Sequence, residues 1–139
     1  MHSEHLRNVN VSWVAFGWFV GFAVASSLIL TATALGILER SVALDASAVA
    51  ASVALGWVVG GFITGFKVAS APILHGAAMA LFTFVAWFVV NLVFGGITTG
   101  ASAWEALSVR VAALALLVQG VAAILGCWLG YRYAPIRVE

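Results

Sequence analysis

Residues 46–67, ASAVAASVALGWVVGGFITGFK, lie between Asp45 and a closing Lys67 and hold no other ionisable side chain. At 1.5 Å per residue, a helix of about 20 residues covers the roughly 30 Å hydrocarbon core of a bilayer. The apolar residues run on without alternating, whereas a barrel strand would alternate over about ten positions. This run is read as a transmembrane helix.

The same test applied outward finds three more charge-free stretches, from Arg7 to Glu39, from Lys67 to Glu105 and from Arg110 to Arg132. The spans are placed at 13–38, 46–66, 72–94 and 109–131, giving an all-α, four-transmembrane-helix bundle in a single domain. Asp45 suits the cap of the second helix and Pro72 the first turn of the third. Gly95 and Gly96 end the third helix, and Pro135 follows the fourth. Ser102 and Glu105 have capping-box spacing, which would add a short interfacial turn carrying Trp104. The first span is the longest, at about 39 Å if straight, and is expected to tilt or project. Ala23-Val24-Ala25 resembles a leader-cleavage site, but the apolar run continues to Leu38, so the segment is read as a retained helix.

Composition excludes several classes. The 139 residues are 64% hydrophobic and 8% charged, with mean hydropathy +1.14; soluble domains carry about 25% charged residues. A net charge of +1 is too small for electrostatic capture of nucleic acid. The lone Cys127 excludes an intrachain disulfide and a two-cysteine redox centre, and reads as a small core residue.

An even number of spans puts both termini on one side. Arg7, Lys67, Arg132 and Arg137 fall there, against Arg40 and Arg110 opposite, so the termini are expected in the cytoplasm of a bacterial cell. Trp13, Trp18, Trp128, Tyr131 and Tyr133 would form an aromatic belt on that side.

Small residues recur at four-residue spacing. Gly17 and Gly21 continue to Ala25. Ser52, Gly56, Gly60 and Thr64 form a second row, with Gly61 and Gly65 beside it. Ala122, Gly126 and Gly130 form another. Such rows let helix backbones approach closely in lipid. They either pack the bundle internally or dock another subunit. The segments are too short to be read as a duplication.

Apart from Arg110 at the very start of the fourth span, no Asp, Glu, Lys or Arg lies inside a span, which counts against proton-coupled transport and rotary ring subunits. No nucleophile–base pair or paired carboxylates suggest an enzyme, and no Glu-x-x-His element suggests a di-metal site. Ser26, Thr83 and Gln119 lie near mid-span, where an interhelical hydrogen-bond node is expected. His75, Met79, Thr83, Trp87 and Asn91 make one stripe along the third helix, read as glue between helices or the lining of a solute path. His75, with the small Ala71 four residues before it, is a hydrogen-bonded interfacial residue or an axial ligand to haem or chlorophyll.

The segment Gly60-Gly61-Phe62-Ile63-Thr64-Gly65, followed after a short loop by His75-Gly76, resembles uncharacterised small four-helix bacterial integral membrane proteins. Their loop is usually more basic than this one, which holds only Lys67. The resemblance implies the four-helix topology and no particular activity.

The expected role is a non-catalytic accessory or assembly subunit of a larger membrane complex, with energy-transducing assemblies, respiratory or photosynthetic, among the hosts. Its partners would be the lipid bilayer and other membrane subunits or further copies of itself. The alternatives are a small homo-oligomeric channel or transporter, and a pigment- or haem-carrying subunit.

Overall fold

A computed structural model describes residues 8–38, 42–95 and 109–134. Within them the chain forms four helices: α1 (Val11–Ala34), α2 (Val42–Val68), α3 (Pro72–Gly95) and α4 (Val109–Tyr133). Each is long and apolar enough to cross a membrane. The protein is an all-α integral membrane protein. Ser102, Glu105 and Trp104, Pro135, Arg7 and Arg137 lie outside the described residues, as does the Asn91 side chain.

Helix ends follow local chemistry. Asn10 caps α1, its side-chain oxygen accepting from the Trp13 N–H at 3.3 Å. At the other end α1 stops at Ala34 instead of continuing to Leu38. Gly36 adopts φ +64°, its N–H donates to the Thr33 carbonyl, and the Ile37 N–H reaches back to Ala32 at 2.9 Å. That Schellman closure ends the helix inside the apolar run. The second helix begins at Val42, so Asp45 lies within its first turn rather than capping it, where its charge still favours the helix dipole. Lys67 and Arg132 occupy the last turns of α2 and α4, at the favourable end for cations.

The helices alternate in direction, so α2 and α4 run parallel. The starts of α1 and α3 and the ends of α2 and α4 share one side of the bundle. Around the bundle the order is α1, α2, α4, α3, as successive interhelical contacts show. The core sits on the terminal side: Val14, Trp57, Met79, Ala122, Ala123 and Cys127 make one buried cluster. The far halves of α3 and α4, including Phe84, Val85, Phe88, Leu92, Leu114 and Leu117, lie exposed toward the bilayer.

Candidate functional site

The centre of the molecule is α2, and its sequence explains why. Gly60 and Gly61 are adjacent, so the rows through them point about 100° apart. The row Gly56, Gly60, Thr64 faces α1, and the row Gly61, Gly65 faces α4. One helix therefore carries two docking faces.

Against α1 the packing is reciprocal. A Cβ on Gly60 would strike the Gly17 carbonyl, and one on Gly17 would strike the Thr64 hydroxyl and, at 2.8 Å, the Gly60 carbonyl. Gly21 lies under the Trp57 ring, and a Cβ on Gly56 would come within 2.5 Å of the Gly21 carbonyl. Thr64, fully buried, holds its hydroxyl 3.0 Å from the Gly60 carbonyl and 3.2 Å from that of Trp13.

Against α4 the seam is as close. A Cβ on Gly61 would meet the Ala123 carbonyl at 2.5 Å, and one on Gly65 would meet the Cys127 carbonyl. From the other helix, Gly126 lies against the Val58 carbonyl and Gly130 against that of Phe62. In α3, a Cβ on Gly76 would come within 2.5 Å of the Ile124 backbone of α4. The structure thus places all eight glycines of the sequence-derived rows at contacts between helices of this chain.

Polar groups supply the links between α1 and α3. His75 is fully buried, and its Nε2 accepts the Asn10 backbone N–H at 3.0 Å. Because a backbone N–H can only donate, the neutral ring carries its proton on Nδ1, which donates to the Ala71 carbonyl at 2.9 Å. Both ring nitrogens are engaged, so axial ligation of haem or chlorophyll through Nε2 would require displacing the Asn10 N–H. The turn beneath is tight. Ala69 and Ala71 adopt φ 51° and 40°, a left-handed conformation that costs an L-residue about 1–2 kcal/mol. The two bonds from His75, backbone and ring, to the Ala71 carbonyl hold it in place.

Two turns along, the Trp18 indole N–H donates to the Thr83 hydroxyl at 2.9 Å, and Thr83 in turn donates to the Met79 carbonyl at 3.2 Å. The Trp18 ring also packs on Phe82 of α3 and Trp57 of α2. Trp18 is thus a bundle residue and departs from the expected belt; Trp128, Tyr131 and Tyr133 are exposed near the terminal side. Arg132 sits over the Trp128 ring, 5.6 Å from its centroid, a cation–π contact.

Ser26, Thr83 and Gln119 do not converge. Thr83 bonds to Trp18 and Met79, and the Gln119 Oε1 is buried with no hydrogen-bond partner. The Trp57 Nε1 is likewise buried and unpartnered. On the α3 stripe, His75 and Met79 are wholly packed and Thr83 and Trp87 half-buried. Among the described residues no group of three or more His, Cys, Asp or Glu could hold a metal.

Composition hides one regularity. The two bonds linking α1 to α3 each join residues 65 positions apart. The same offset carries Gly61, Gly65, Phe66 and Lys67 onto Gly126, Gly130, Tyr131 and Arg132. The signal was present as a Gly-x-x-x-Gly-aromatic-basic ending on two helices.

No protein-family model matches this chain, and no curated protein or solved structure matches it.

Proposed function

We propose that this protein is a non-catalytic integral membrane subunit that acts by lateral assembly, as an accessory or assembly component of a larger membrane complex. One observation carries the reading. The closest-packing faces and the Thr64, His75 and Thr83 side chains are all spent inside the bundle, while the outer surface is a broad apolar one. Helix-to-helix contact in the bilayer has ample surface to act through.

The reading sets the protein in a bacterial cytoplasmic membrane with both termini inside; Lys67 and Arg132 at the terminal-side helix ends support that direction. Purification from native membranes in mild detergent is expected to recover stoichiometric partner subunits. A stable, monodisperse 14.5 kDa species alone would overturn the assembly role. Reporter fusions at the C-terminus test the orientation, and activity of an exported reporter would reverse it.

A further inference from the structure

The bond between His75 and Asn10 joins a fully buried ring to an exposed residue at the start of α1. Its polarity is fixed at both ends. The Nδ1–H is spent on the Ala71 carbonyl at 2.9 Å, and Nε2 accepts the Asn10 backbone N–H at 3.0 Å. A second proton on the ring has one place to go, Nε2, and there it would set two donors against each other. The bond to Ala71 needs no change, because both nitrogens of an imidazolium donate.

The surroundings oppose the positive charge as well. His75 stands in the first turn of α3, and its ring meets the residue that caps α1. Two helix N-termini, each with partial positive charge, therefore converge on it. Neither helix has an acidic residue in its first turn. The described titratable and charged groups at this end of the neighbouring helices are Lys67 on α2 and Cys127, Tyr131, Arg132 and Tyr133 on α4; α1 has none. Asp45 and Arg110 sit at the other end of the bundle. His2, Glu4, His5 and Arg7 precede Asn10 and lie outside the described residues.

We propose that His75 is an acid-sensitive latch on the start of α1. The neutral ring holds the Asn10 N–H, and a proton taken from water onto Nε2 releases it, while the turn at 69–71 stays closed. Free imidazole changes charge between about pH 5 and pH 8, so the latch is shut at neutral pH and opens as the pH falls. Release is confined to the first turn of α1 and the residues before it. The body of the helix keeps its other ties, Trp18 to Thr83, Thr64 to the Trp13 carbonyl, and Gly17 and Gly21 against α2. The latch works within one chain and does not depend on the assembly role.

The test follows nitrogen resonances of the full chain in lipid nanodiscs from about pH 7.5 down to about pH 5. It reads the protonation of the His75 ring and the exchange protection of single backbone N–H groups, corrected for the intrinsic pH dependence of exchange. The expected result is that the ring gains its Nε2 proton and that Asn10 loses protection about tenfold at the same midpoint. The Ala69 and His75 N–H groups, bonded to Gly65 and Ala71, are expected to keep theirs. A ring that stays neutral throughout, a protonated ring with Asn10 still protected, or a turn that opens with the latch overturns the proposal. In His75→Asn, whose acceptor does not titrate, protection at Asn10 is expected to be flat over the same range. An acid loss as large as in the wild type would assign the effect to another group, such as His2 or His5, and overturn the latch. The wild-type ring resonances decide the matter whether or not the variant folds.

Discussion

The terminal half of the bundle and the far half are built from similar residues and behave as different materials. In the first, glycines let backbones touch, His75 and Thr64 are fully buried, and α1 is tied to α3 by two hydrogen bonds. In the second, Phe84, Val85 and Phe88 of α3 and Leu114 and Leu117 of α4 face outward with large exposed areas. Hydropathy is uniform across both. What separates them is the placement of small residues: in lipid, apolar side chains gain little by leaving one apolar medium for another, and close van der Waals packing decides where helices hold.

Substitutions should grade along that divide, each read as a shift in the reversible unfolding free energy in mild detergent. The largest effect is expected for Gly65→Leu, whose side chain would collide with the Cys127 backbone and force the α2·α4 seam apart; a loss of more than about 3 kcal/mol follows. A loss below about 1 kcal/mol would show the seam to be loose. His75→Ala removes a buried ring and strands the Asn10 N–H, which should cost about 2–3 kcal/mol. His75→Asn, able to keep an acceptor in the site, should recover part of it.

Smaller shifts sharpen the contrast. Trp18→Phe keeps the ring contacts with Phe82 and loses the bond to Thr83, worth about 1 kcal/mol. Ala71→Gly should instead stabilise, because relief of the left-handed φ exceeds glycine's added unfolded-state freedom by about 0.5–1 kcal/mol. Leu92→Ala, 67% exposed in the far half, should move stability by no more than about 0.5 kcal/mol. A large effect there would mean that the far half is packed as firmly as the near half.

The four spans were legible because charge cannot be hidden in hydrocarbon, so its absence marks the helices directly. The starts of α3 at Pro72 and α4 at Val109 agree with that reading to the residue. The end of α1 does not, because one Gly36 in a left-handed conformation closes a helix whose hydropathy continues. Azimuth was the harder quantity. Ser26, Thr83 and Gln119 share a depth, yet depth sets a level and not the direction a side chain faces, so Thr83 met Trp18 instead. Trp18 near the start of α1 was assigned to the headgroups by its type and position alone, and that cue cannot see an inward-facing acceptor on another helix.

Parallel neighbours such as α2 and α4 carry an obligation that antiparallel hairpins escape. Their ends lie a membrane apart, so no short turn can join them, and α3 must be threaded across the bilayer before α4 can arrive. During synthesis the α1–α2 hairpin therefore waits with one flank complete and the other, through Gly61 and Gly65, bare to lipid. Until α4 is inserted that flank is a place where any small-residue helix can bind out of turn. The order of the spans along the chain thus sets an interval of vulnerability in the protein's own biogenesis.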